Sequence, residues 1–312
     1  MNRRPLGRSE LVIEPLVLGG NVFGWTVDES TGFAILDAFT EAGFTAIDTA
    51  EGYPNWVPGN PPGMSETIIG NWLKARGNRE SVHIFTKVNS GKQPGGLKPD
   101  AIRAGVEASL KRLQTDYIDL YFSHWPDAEA EHEETLATYD MLIRAGKVRV
   151  IGASNYSAEM MEEAQRIAVI KSLQRYEVTQ PRYNLYDRAE FEALRPYLLE
   201  NDVGAIVYYS LASGFLTGKY RKEGDLGQSP RGGGVGRYLD DKGFRILAAL
   251  DRAAAELEAS PAEVALAWLI AQEGVSAPIA SASSVQQVES LVRGARLDLP
   301  AEIEQQLTAA GA

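Results

Sequence analysis

The sequence predicts a closed parallel (β/α)8 barrel, the TIM-type α/β fold, with an N-terminal β-hairpin and C-terminal helices. Short β-rich runs alternate with amphipathic helical stretches at roughly 30–40-residue intervals, as a repeated β/α unit requires. The length, 312 residues, suits one such barrel or two smaller domains. The competing doubly wound sheet would want Gly-x-Gly-x-x-Gly after its first strand. Leu18-Gly19-Gly20-Asn21-Val22-Phe23-Gly24 misses that spacing, and no acidic residue ends a second strand where a ribose would need it. The expectation is therefore one barrel over residues 1–312, with 210–241 a long loop within it.

Residues 3–14 read as a small hairpin capping the barrel bottom. Strands are expected at 16–18, 44–48, 82–87, 117–123, 148–152, 177–180, 205–208 and 277–280. In the third helix Ile102, Val106, Leu110 and Leu113 form one apolar stripe. Ser260-Pro261-Ala262-Glu263 is a capping box with proline at the first helical position, so a helix starts there. Two segments break the rhythm. Residues 210–241 are glycine-rich and long enough for a lid or binding loop. Residues 54–63 form a proline-stiffened insertion whose Trp56 is placed to wall a pocket.

Composition narrows the chemistry. Hydrophobic residues make up 44% and charged residues 23%, as in soluble globular proteins. No apolar run approaches the roughly 20 residues of a membrane span, and the N-terminus lacks a signal-peptide core, so a cytoplasmic protein without membrane partners is expected. There are no cysteines, hence no disulfide and no thiol nucleophile. His83, His124 and His132 lack metal-ligand spacing, and no metal site is expected. The net charge of −11 argues against nucleic acid as a partner. An anionic cofactor would need a local cationic or helix-terminal pocket. A monomer is the default.

The chemistry-bearing residues sit at strand ends. Asp48 closes Phe44-Thr45-Ala46-Ile47-Asp48, with Tyr53 five residues on. Lys87 ends Ile84-Phe85-Thr86-Lys87, and His124 follows the strand that ends at Ser123. Barrel sites are assembled from such positions on separate strands. Carbonyl reduction needs a hydride at carbon and a proton at oxygen. A phenol is a fair acid for the second if a neighbouring ammonium lowers its pKa. A buried carboxylate keeps that lysine charged and aimed, and a histidine at the rim orients the carbonyl. Asp48, Tyr53, Lys87 and His124 fit these four roles. Singly each has a plain structural explanation; jointly they form a proton-donating site. His83 and His132 read as structural or solvated.

This joint pattern resembles the aldo-keto reductase superfamily over nearly the whole chain. The matching stretches are Gly43-Phe44-x-x-Ile47-Asp48-Thr49-Ala50, Ser65-Glu66-x-x-Ile69-Gly70, Gly152-Ala153-Ser154-Asn155-Tyr156, Gln180-Pro181-x-Tyr183-Asn184-Leu185, and the run from Tyr208 to Tyr220. The resemblance puts Asp48, Tyr53, Lys87 and His124 on the family's catalytic tetrad. It implies NADPH, with NADH or dual use open, bound across the C-terminal barrel face. Ser154, Asn155 and Gln180 would then lie near the carboxamide, and Tyr208 would stack on the nicotinamide. Tyr209, Ser210, Leu211, Gly214, Leu216 and Lys219 would run along the pyrophosphate, with Arg231 a further phosphate contact. Gly20, Asn21, Asp48, Ser281, Ser283 and Gln287 complete the implied cofactor contacts, Gln287 at the adenine. Two departures stand out. Tyr209-Ser210-Leu211 replaces a common Ser-Pro-Leu. Ser283 stands where NADPH users often carry Arg or Lys, and Leu291 replaces a common asparagine.

The function read from these residues is reduction of an aldehyde or ketone, with Tyr53 donating the proton and Trp25, Trp56 and Trp125 walling a pocket for an aromatic or medium-chain small molecule. The alternative is a cofactor-binding regulatory subunit, because potassium-channel β subunits resemble this chain in the loop. A third reading, a hydrolase pairing Asp48 with Asp119 or Asp127, needs two carboxylates roughly 5–9 Å apart. Lys87 would neutralise such a site.

Overall fold

The computed structural model describes residues 3–312. Strands β1 (Arg4–Pro5) and β2 (Val12–Ile13) pair as an antiparallel hairpin. The eight that follow are β3 (Val17–Gly19), β4 (Ala46–Asp48), β5 (His83–Val88), β6 (Ile118–Ser123), β7 (Val148–Ser154), β8 (Val178–Gln180), β9 (Gly204–Val207) and β10 (Ala277–Ala280). They close into a parallel barrel, each beside its sequence neighbour, with β10 returning to β3. All eight coincide with expected strands to within a few residues. β4 starts late because Gly43 and Phe44 are spent on the turn leaving the preceding helix, where their N–H groups bond Thr40 and Phe39 carbonyls. β7 runs on to Ser154, which puts that residue on the strand itself.

The helices are α1 (Glu29–Glu41), α2 (Met64–Arg76), α3 (Pro99–Leu113), α4 (His132–Arg144), α5 (Ala158–Lys171), α6 (Ala189–Asn201), α7 (Asp241–Glu256), α8 (Pro261–Ala271), α9 (Val285–Arg296) and α10 (Ala301–Ala310). β9 is followed by two helices, and so is β10. The stripe expected on α3 is buried throughout, and the capping box at α8 forms, Ser260 and Glu263 each bonding the other's backbone N–H.

Side chains alternate across each strand, so every second residue enters the barrel. Val17, Ala46, Phe85, Phe122, Val150, Val178 and Ile206 pack there, together with Leu6, Leu11 and Ile13 from the hairpin. The hairpin thus plugs the end at which the strands begin. Two positions further along the same strands, the same alternation delivers Asp48, Lys87 and Gln180 to the interior at the opposite end, and His124 follows Phe122 in the same register.

The first signature stretch is scaffold. Ser65 Oγ donates to the Gly20 carbonyl at 2.8 Å. Glu66 is buried and receives Thr86 Oγ1 of β5 and Arg112 Nε of α3, each at 2.6 Å. A Cβ on Gly70 would collide with the backbone of Arg112 and Leu113, so this glycine sets how closely α2 and α3 cross.

Residues 210–241 differ from an open, structureless loop. Four short 3-10 turns run through them, at Ala212–Thr217, Glu223–Gln228, Gly232–Gly234 and Gly236–Tyr238. Phe215, Leu216, Tyr220, Val235 and Tyr238 are fully buried. These anchors are spaced irregularly, so no helical or strand period reveals them.

Candidate active site

At the mouth of the barrel Lys87 Nζ donates to Asp48 Oδ1, Asp48 Oδ2 and the Thr49 carbonyl, each at 2.7 Å. Gln180 Nε2 donates to Asp48 Oδ1 at 2.9 Å. All three ammonium protons are therefore directed, and the carboxylate is held from two strands. Burial lowers the Lys87 pKa and the Asp48 charge opposes that fall.

Tyr53 is half-buried beside this pair, its ring centroid 5.0 Å from Lys87 Nζ and 5.7 Å from the His124 ring. Its phenol departs from the expected lowering. Burial, then Asp48, pushes its pKa well above the ordinary value. Burial is the larger cause, because a phenolate loses solvation there, and the Asp48 carboxylate opposes a second negative charge beside it. Water in the part-open cleft tempers that push. The side chain stays protonated at neutral pH, which is the state a proton donor needs.

His124 is buried, with its pKa well below the usual histidine value because of burial and, secondarily, the charges of Lys87 and Lys92. It is a neutral imidazole at neutral pH. Its Nδ1 lies 2.9 Å from Ser90 Oγ.

The strand ends beyond carry the other polar positions. Ser154 Oγ donates to the Gln180 carbonyl at 2.8 Å, and Asn155 Nδ2 donates to the His124 carbonyl at 2.9 Å. Tyr208 OH donates to Asn155 Oδ1 at 2.7 Å, and burial raises its pKa to about 12. Tyr209 is exposed, with a left-handed backbone (φ 60°), and Ser210 is buried. Leu216 is a core anchor, Gly214 has a φ of 95°, and Lys219 is exposed over the Tyr220 ring.

The loop returns across the mouth. Arg231 Nη2 donates to Asn21 Oδ1 at 3.1 Å, and Ser281 Oγ donates to the same oxygen at 2.7 Å. Gly20 N–H bonds the Asp48 carbonyl at 2.7 Å. Among the described residues no carboxylate pairs with Arg231, and burial lowers its pKa. Ser283 is exposed, and its N–H and hydroxyl both bond Gln287 Oε1, so these two residues meet at the start of α9.

Trp25 and Trp56 meet edge-on at 5.6 Å, Trp56 reaches Tyr53 at 5.8 Å, and Trp125 stacks with His124 at 6.0 Å. Trp56 is 46% exposed, so the 54–63 insertion presents a face to solvent. The other carboxylates are committed elsewhere. Asp119 pairs with Arg79 and Arg149, and Asp127 accepts the backbone N–H groups of Gly95, Leu97 and Glu129, which leaves neither as a free partner for Asp48. His83 bonds Thr45 and His132 opens α4, as structural residues do. The sequence reading missed Ser90, Lys92 and Arg182. Lys92 Nζ lies 3.5 Å from the Trp125 ring centroid, and Arg182 Nε is buried without a partner beside Tyr208 and Tyr209.

Comparison with known proteins gives the same picture. The aldo/keto reductase family model matches residues 15–311. Aldo-keto reductase YhdN of Bacillus subtilis is 40% identical over 66% of this chain; the match covers 59% of that relative's length. The uncharacterized oxidoreductase YrpG of the same organism is 34% identical over 96% of this chain and 92% of its own. A probable voltage-gated potassium channel subunit beta of Oryza sativa is 34% identical over 92% and 89% respectively. No helix among the described residues is long and apolar enough to cross a membrane. With a buried Lys–Asp pair, a phenol and an imidazole at the mouth of a parallel barrel, and a match spanning nearly all of its length, the chain belongs to the aldo/keto reductase family of oxidoreductases.

Proposed function

We propose that the protein reduces an aldehyde or ketone to an alcohol using NADPH or NADH, with Tyr53 as the proton donor. The observation that carries this reading is the gathering of Tyr53, Lys87, Asp48 and His124 from three successive strand ends onto one barrel mouth. A bound nicotinamide supplies the hydride. The Tyr53 O–H bond breaks as its proton passes to the carbonyl oxygen, leaving a phenolate beside the Lys87–Asp48 pair. Asp48 keeps Lys87 charged and aimed. Neutral His124 holds the carbonyl oxygen by hydrogen bonding, and Trp25, Trp56 and Trp125 exclude water around an aromatic or medium-chain substrate.

The residues present fit a dinucleotide. Arg231 is a half-buried cation without an anion, Asn21 and Ser281 lie against it, and Ser154, Asn155, Gln180 and Tyr208 offer amide and hydroxyl groups plus a ring. Within Ser210 to Lys219 the N–H groups of Ala212, Gly214, Leu216 and Gly218 bond carbonyls of the same loop, so its contribution to a phosphate is the exposed Lys219 charge. Ser283 and Gln287 present no cation at the start of α9, which favours a cofactor without a 2′-phosphate as much as one with it.

Tyr53→Phe tests the assignment. Turnover with a panel of aromatic aldehydes should fall by roughly 10²–10⁴-fold, while cofactor titration followed by tryptophan fluorescence stays unchanged. Full turnover in that variant would remove Tyr53 from the role. The likeness to a potassium-channel β subunit supports a second reading, a cofactor-binding regulatory subunit. Binding of cofactor without turnover on any carbonyl would favour it.

A further inference from the structure

His124 is the least determined member of the site. A neutral imidazole carries one N–H, on Nδ1 or Nε2, and the hydrogen bond at one nitrogen decides the state of the other. If Nδ1 holds the proton, Nε2 presents a lone pair, which repels a carbonyl oxygen. If Nε2 holds it, the ring presents a donor. The choice therefore decides whether His124 can do what the proposed reduction asks of it.

The partner on Nδ1 is Ser90 Oγ, 2.9 Å away. A hydroxyl both donates and accepts, so distance alone does not give the direction. The surroundings favour donation to Nδ1. Ser90 Oγ has no other hydrogen-bond acceptor among the described residues, so its proton goes to Nδ1 or to solvent. The loop that carries it is tied down on both sides: Ser90 N–H bonds Glu51 Oε1 at 3.2 Å, and Asn89 Nδ2 bonds the Trp125 carbonyl at 3.3 Å. The ring is fixed as well, its backbone N–H on the Val88 carbonyl at 2.9 Å and its face stacked with Trp125. A fixed hydroxyl facing a fixed ring nitrogen is a built contact.

We infer that Ser90 is a positioning residue that donates its hydroxyl proton to His124 Nδ1 and so holds the ring as the Nε2–H tautomer, the form able to donate to a carbonyl oxygen. This rests on the proposed reductase reading for its purpose, though not for its geometry.

The experiment is two-bond 1H–15N correlation on protein labelled with 15N-histidine at pH 7.5. It uses wild type, Ser90→Ala and Ser90→Thr, with His124→Asn to identify which of the three histidine signals belongs to this ring. Wild type and Ser90→Thr are expected to show a protonated Nε2 and an unprotonated Nδ1. Ser90→Ala is expected to lose that single pattern and show both nitrogens averaged, with a lower kcat and unchanged cofactor affinity. A protonated Nδ1 in wild type, or an unchanged pattern in Ser90→Ala, would overturn the inference. Rescue by Ser90→Thr separates loss of the hydroxyl from loss of folding. The spectra need no substrate, so a protein that reduces no carbonyl fails the reductase reading while the tautomer result still stands.

Discussion

Lys87 Nζ meets both carboxylate oxygens of Asp48 at 2.7 Å, with the lysine side chain 0% and the aspartate side chain 5% exposed. A pair so dry costs a good deal to bury and is far worse when broken than when removed whole. Lys87→Met alone should cost about 3–5 kcal/mol of stability by leaving a lone buried carboxylate. The double variant Asp48→Asn, Lys87→Met should recover much of that loss in urea unfolding while staying inactive. A double variant no more stable than the single would mean the pair also holds the surrounding strands.

The imidazoles make stability depend on pH. Burial lowers the folded pKa of His124 well below the unfolded value, and burial also lowers His83. As pH falls below about 6.5, the unfolded chain takes up protons that the folded chain refuses, so stability is full above that pH and declines below it. Urea midpoints at pH 7.5 and 5.5 should differ, and His124→Asn should shrink the difference. An identical pH response in that variant would show that His124 charges without cost in the fold.

Gly70→Ala tests the helix crossing. A Cβ there runs into Arg112 and Leu113 backbone, and overpacking of this kind costs typically about 1–3 kcal/mol. A lowered thermal midpoint is expected, with the cofactor titration intact. No change in the midpoint would mean that α2 and α3 separate freely.

Ser283→Arg bears on cofactor choice. A guanidinium at the start of α9 would add one charged hydrogen bond to a 2′-phosphate, worth about 1.5–3 kcal/mol, and nothing to NADH. Parallel titrations should show NADPH binding tightening by at least about tenfold. Equal tightening for both cofactors would place the 2′ position elsewhere.

Much of this was legible because it obeys a short period. Asp48, Lys87 and Gln180 stand two residues beyond the apolar interior positions Ala46, Phe85 and Val178, so strand alternation alone aims them inward. What escaped depends on distance in space. Ser90 lies 34 residues from His124, and nothing local marks it. The resemblance names both Arg231 and Asn21, but not their meeting across 210 residues. The sign of the Tyr53 shift was missed for a related reason. The sequence pairs a carboxylate with the lysine, but it does not show how deeply the fold buries the phenol, and burial is the larger cause of the rise.

The hairpin plug has a kinetic consequence. With Leu6, Leu11 and Ile13 packed beneath a filled interior, only the face at the strand ends is left to receive a molecule. On the proposed reading two reactants share that doorway. Whichever rests deeper must arrive first and depart last, because the packed layer beneath the site leaves no second way out.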